Sequence, residues 1–177
     1  MQSPRLAVEE QSNEFVFKQR YTGLRETWTK QFGWSLFRPL HDADTHILKQ
    51  LHIPMSDSIG EFETQLLYLV KLIIDSLNED ALAKACGGAL PGEKSIGKFK
   101  RYLEAAKYPR IDRDINLMRT LQDLRSSGAV HVKGKRFDKV QTQVGLDSDA
   151  PREVFRGLLA QVNESLADLS AHFLPSF

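Results

Sequence analysis

Cysteine is nearly absent: Cys86 stands alone in 177 residues. That excludes a disulfide framework within the chain and any zinc or iron–sulfur centre built on several thiolates. Long hydrophobic runs are missing too. The greasiest stretch, LLYLVKLIID, is interrupted by Lys71 and falls well short of the ~20 residues a membrane span needs. The opening MQSPRLAVEE has no apolar core of the kind a signal peptide carries. Charge of one sign is not in excess, since 24 basic side chains meet 23 acidic ones, so no whole-molecule field points to a polyanionic partner. Strand-like alternation, internal repeats and low-complexity tracts are lacking. So is a phosphate-binding loop, because CGGALPGEK and GEKSIGK fail its spacing and follow no strand. These absences predict a soluble, cytoplasmic protein with no membrane partner and no cofactor.

Helical periodicity fills the space that is left. Phe17, Tyr21, Leu24, Trp28 and Phe32 recur at helical steps and predict a helix over 13–32, ended by Gly33. GWSLFRPLHDAD reads as a connection, and a short amphipathic turn over 45–51 is closed by Pro54. Ser58 and Glu61 have the spacing of a reciprocal capping box. It opens a central helix whose apolar positions, from Ile59 and Phe62 through Leu67 to Leu77, are too many for one stripe. Further helices are predicted over 93–106, 111–127 and 152–174, the last with Asp147, Asp149 and Pro151 as its start signal. The stretch AVHVKGKRFDKVQTQVG reads as a short hairpin, an irregular loop or a helix from about Val130. The fold class is all-α, a bundle of four to five main helices. Residues 1–54 form an N-terminal helical arm and connection, and residues 55–177 the bundle. Trp28, Trp34, Phe32 and Phe37 are read as packing of that arm rather than as a base-stacking platform.

Charge is segregated along the chain. Residues 93–136 carry 12 Lys or Arg against 5 Asp or Glu, while the remainder carries 12 against 18. The basic window is read either as solvated helix faces or as a polyanion-binding face densest at Lys133, Lys135 and Arg136. Arg125 closes the apolar stripe of Met118 and Leu121, where a guanidinium needs an anion or an exit to water. His131 follows six residues later, across the small, polar Ser126, Ser127 and Gly128. Guanidinium plus imidazole suits phosphodiester chemistry without a metal: one holds a phosphate, the other moves a proton near neutral pH. Spacing alone has no weight, because 12 Arg and 5 His yield about one such pair by composition arithmetic. The structural alternative is an arginine paired to Asp123 or a backbone carbonyl, beside an exposed loop histidine.

In context, LRSSGAVHVKG at the end of the fourth long helix resembles the R-x4-6-H motif of the HEPN superfamily. Arg125 and His131 match its two defining positions; the position after the arginine, commonly Asn, Asp or His in the family, is Ser126. The resemblance spans residues 58–174 and implies a helical, metal-independent endoribonuclease acting on single-stranded RNA. It implies a homodimer with a composite site, in a defence or toxin–antitoxin setting with a neutralising or neighbouring-domain protein. Arg125 and His131 would be catalytic, and Ser126, Ser127, Lys133, Lys135 and Arg136 would hold substrate. The alternative is a catalytically silent helical module that binds a partner protein or a nucleotide.

Elsewhere the readings are structural. His41, Asp42, Asp44, His46 and His52 lie in a polar connection, with His41 and His46 at the wrong spacing to share a helix face as metal ligands. His172 reads as a cation at a helix C-terminus, and Cys86 as inert.

Overall fold

The computed structural model describes residues 12–128, 135–147 and 149–175, without the side chains of 127, 128 and 135–137. Among them the chain is all-helical. In order come α1 (Asn13–Phe32), α2 (Ile47–Gln50), α3 (Ile59–Val70), α4 (Glu79–Ala85), α5 (Ser95–Ala105), α6 (Ile111–Gly128), α7 (Lys135–Val144) and α8 (Pro151–Phe173).

The predicted helix over 13–32 forms with those bounds, and Gly33 ends it in the left-handed region at φ 76°. Its apolar stripe does not project as an arm. Phe17, Tyr21, Leu24 and Trp28 are buried in the same core as the other long helices, with α1 packed along α8. The two helices run in the same direction: Asn163 Nδ2 donates to the Asn13 carbonyl near one end, and Trp28 meets Phe173 with ring centroids 4.9 Å apart at the other. Residues 12–54 thus belong to the bundle rather than standing off it. A stripe at helical spacing shows that a face must be covered, and α8 covers it here.

The connection after α1 is pinned to the centre of the molecule. The Arg38 amide donates to the Ser76 carbonyl at 2.6 Å, and the Asn78 amide to the Leu36 carbonyl at 2.9 Å, an isolated antiparallel bridge across Phe37 and Leu77. Phe37 is accordingly core, stacked on Tyr21.

The central helix departs from its sequence reading in three ways. Ser58 Oγ accepts from the Glu61 amide at 3.5 Å, but the reciprocal half of the capping box does not form. The Glu61 carboxylate instead reaches past Ser58 to the Met55 amide, the Ser56 amide and the Ser56 hydroxyl. Those bonds, the hydroxyl first, hold its carboxyl below the usual carboxylate range. Ile59 and Leu67, expected within the broad apolar surface, are exposed at 52% and 38%. And α3 does not run straight to Leu77. It passes at Lys71–Asp75 into a single π-helical turn, closed by the Ser76 amide on the Lys71 carbonyl at 3.1 Å, after which Asn78 caps α4.

Arg101 ties α5 to the end of α4, donating to the Cys86 and Gly88 carbonyls and pairing with Glu93 at 2.8 Å. The C-terminus of α5 closes as a Schellman motif: the Lys107 amide reaches the Glu104 carbonyl and the Tyr108 amide the Leu103 carbonyl, both at 3.0 Å. His172 adds a contact from α8, with Nε2 3.0 Å from the Ala106 carbonyl, so it serves the end of α5 as well as its own helix. The left-handed position of that motif is Lys107 at φ 54°, where glycine would carry no steric penalty. Lys107→Gly is therefore expected to stabilise the protein by about 1 kcal/mol, read as a higher urea midpoint at unchanged slope.

Candidate active site

Arg125 lies two turns beyond Met118 on α6, next to buried Leu124 and at the mouth of a groove between α3 and α6. The groove holds about 230 Å³ and is bordered by Gly60, Glu63, Thr64, Leu66 and Leu67 of α3. The side chain keeps 26% of its surface exposed. Its Nη1 donates to Asp75 Oδ2 at 2.5 Å, so the guanidinium meets a carboxylate of the π-helical turn rather than Asp123 or a backbone carbonyl. Asp75 is itself 42% exposed, which leaves the pair in contact with solvent. One of the five N–H donors of Arg125 is used by this bond, and the groove lies open beside the others.

Other predicted site residues divide into two groups. Ser126 is exposed, and its hydroxyl donates back to the Gln122 carbonyl at 2.8 Å within its own helix. His131 and Lys133 lie outside the described residues, as do the side chains of Ser127, Lys135 and Arg136. The described part of the stretch after α6 is helical, as α7.

Asp75 was missed in the sequence because the π turn rotates residues 71–75 out of the 3.6-residue register on which the apolar reading rests. The basic window also looks different in space. Lys98 pairs with Glu79 at 2.8 Å, Lys100 with Glu104 at 3.5 Å, Arg101 with Glu93, Arg113 with Asp114 and Asp168, and Arg125 with Asp75. Three of those acids, Asp75, Glu79 and Asp168, come from outside the window. Much of its positive excess is thus met by the acidic remainder of the chain, while Lys94, Lys107, Arg110 and Arg119 stay exposed.

The histidines of the polar connection have separate roles. His41 Nδ1 accepts from the Ala43 amide at 3.3 Å, starting a short 3-10 turn, and His46 lies edge-on to Tyr68. His52 Nδ1 is 2.8 Å from the Ile53 carbonyl and Nε2 is 3.2 Å from the amide nitrogen of buried Gln65. Since a carbonyl only accepts, the proton sits on Nδ1 and Nε2 accepts. Trp28 and Phe37 are fully enclosed, so neither offers a face to a base.

A buried acidic side chain that the sequence reading passed over anchors α6. Asp114 is 2% exposed, and its two oxygens accept from the Ser165 hydroxyl and Arg113 Nε at 2.7 Å and from the Tyr108 hydroxyl at 2.6 Å. Arg113 also reaches Asp168 at 2.8 Å, so α6 and α8 are joined by a connected set of donors and acceptors. Between two carboxylates, the guanidinium is held charged still more firmly than an ordinary arginine.

Comparison with family models, with curated proteins and with solved structures finds no match to this chain.

Burial, followed by the hydrogen bond to the Asp114 carboxylate, pushes the Tyr108 phenol well above its usual value of 10.0. The folded state therefore keeps a proton that the unfolded chain releases near pH 10, so this contribution is complete below that pH and is lost as pH rises beyond it. Tyr108→Phe is expected to cost about 1.5–3 kcal/mol at neutral pH, as a hydrogen bond to a charged group does. Between about pH 9 and 11 the urea midpoint of the variant should fall less steeply than that of the parent. Parallel falls would contradict this assignment.

Proposed function

We propose that this chain is a metal-independent endoribonuclease of the HEPN type, with Arg125 and His131 as its catalytic residues and single-stranded RNA as its substrate. The observation that supports it best is the setting of Arg125: a partly exposed guanidinium, steadied through one nitrogen by Asp75, beside an open groove. Such a group can still present two parallel N–H donors to a phosphate and offset the charge that grows on phosphorus in the transition state.

In this mechanism the ribose 2′-hydroxyl attacks the adjacent phosphorus, and the bond to the 5′-oxygen breaks. His131 moves the proton, as base to the 2′-hydroxyl or as acid to the leaving oxygen. The products are a 2′,3′-cyclic phosphate and a 5′-hydroxyl, and DNA is not cut because it lacks the nucleophile. Lys133, Lys135 and Arg136 hold flanking phosphates, with Ser126 and Ser127 close to the scissile group, which makes binding strongly salt-dependent. Two copies related by a two-fold axis bring two motifs together into one composite site.

One observation favours a second reading, a catalytically silent helical module for a partner protein or nucleotide. Five cations of the basic window, Arg125 among them, already have carboxylate partners.

Incubation with a mixed single-stranded RNA pool in excess EDTA separates the two. The ribonuclease reading expects cleavage to cyclic-phosphate ends, reduced at least ~100-fold in Arg125→Ala/His131→Ala. Equal traces from parent and variant would remove that reading and leave the binding module.

A further inference from the structure

Between α6 and α8, beside the C-terminal end of α7, lies an open cleft of about 380 Å³. That size falls in the ~300–1,000 Å³ range of small-molecule sites. Its floor is aliphatic, formed by Leu117, Val144, Val154 and Leu158. Its rim is polar, and the bonds already made there decide what it can still offer. Gln143 donates its amide nitrogen to Thr120 Oγ1 at 3.5 Å, and Gln161 donates its own to the Gly157 carbonyl at 3.4 Å. Each amide has one of its two N–H groups engaged in this way, and both amide oxygens remain as acceptors. Asp149 and Glu153 add carboxylates, the first exposed and the second approached by Arg156 Nε at 3.3 Å. Arg113, the cation on this rim, is already balanced by Asp114 and Asp168. The negative charge of the cleft therefore comes from Asp149 and Glu153, beside the acceptor oxygens of Gln143 and Gln161 and the mixed donors and acceptors of Asn116 and Thr120.

An independent feature points to the same place. Gly157 lines the cleft from the interior of α8, and no neighbouring atom lies within 4 Å of where its Cβ would stand. Packing does not require glycine there, and glycine inside a helix is destabilising relative to alanine. What the missing side chain provides is room.

We propose that this cleft binds a small aliphatic polyamine. Its methylene segments lie on the four aliphatic side chains, where an extended hydrocarbon loses contact with water. Its ammonium groups donate to the carboxylates of Asp149 and Glu153 and to the freed oxygens of Gln143 and Gln161, as charge-assisted hydrogen bonds. The same charge repels phosphate, so the cleft is a separate site from the groove at Arg125 and does not rest on the ribonuclease reading.

The test is calorimetric titration of the full chain with spermidine at fixed ionic strength. Asp149→Asn/Glu153→Gln removes the charges, and Gly157→Leu fills the cleft without touching one. Each is first checked for a parent-like helical spectrum and cooperative melting, and either one decides the matter if the other fails to fold. The expected result is saturable one-site binding by the parent, weakened at least ~10-fold in both variants. Absence of saturable heat in the parent would overturn the proposal. So would an unchanged isotherm in Gly157→Leu, which would mean attraction to acidic surface elsewhere.

Discussion

The bundle depends on the seam between its first and last helices. α1 lies along α8 in the same direction, and Trp28 closes the seam at its far end. That indole contacts Phe173 of α8, Tyr102 of α5 and Trp34 of the following connection. One residue of α1 therefore holds the final helix, the third long helix and the strap that crosses to Leu77. With α8 fixed on one side, α6 is left to pack against α3, α5, α7 and α8, and its exposed edge toward α3 becomes the groove beside Arg125. The groove is bordered by α3 and α6 alone, and α1 packs on α8, which both of those helices also contact.

A second constraint is electrostatic. Lys98, Lys100, Arg101, Arg113 and Arg125 of α5 and α6 are close in sequence and paired in space, three of them with acids on α4, α8 and the π turn. Most of these pairs are partly exposed, and exposed pairs contribute little stability each, so their value lies in register and in limiting free charge. Asp114 differs. Nearly sealed from solvent, it depends on Tyr108, Ser165 and Arg113 together, and losing any one leaves a buried carboxylate short of a partner.

Periodicity made most of the fold legible. The stripes of α1, α5, α6 and α8 announced themselves because each buries one face at constant register. What covered a given face was not legible, and the seam of α1 with α8 joins residues some 150 positions apart. Asp75 escaped because a π turn breaks the register that the reading assumes. Asp114 need not have escaped. It starts the same stripe, through Met118 and Leu121, that Arg125 ends, so the reasoning that singled out the arginine applied equally to the aspartate. The capping box was half right, since Glu61 has closer donors at Met55 and Ser56 than the one its spacing suggested. For the candidate site, the sequence marked Arg125 as a guanidinium in need of an anion, and in the fold Asp75 supplies one.

The seam is tested most directly by urea unfolding of Trp28→Ala, followed by far-UV circular dichroism and by the fluorescence of Trp34. If α1 is part of one core, both probes should report a single transition, destabilised by about 3–5 kcal/mol as for a large aromatic removed from a close-packed interior. A loss below about 1 kcal/mol, or an early separate transition that leaves the rest of the bundle at its original midpoint, would contradict the account and return the N-terminal helix to the status of an arm.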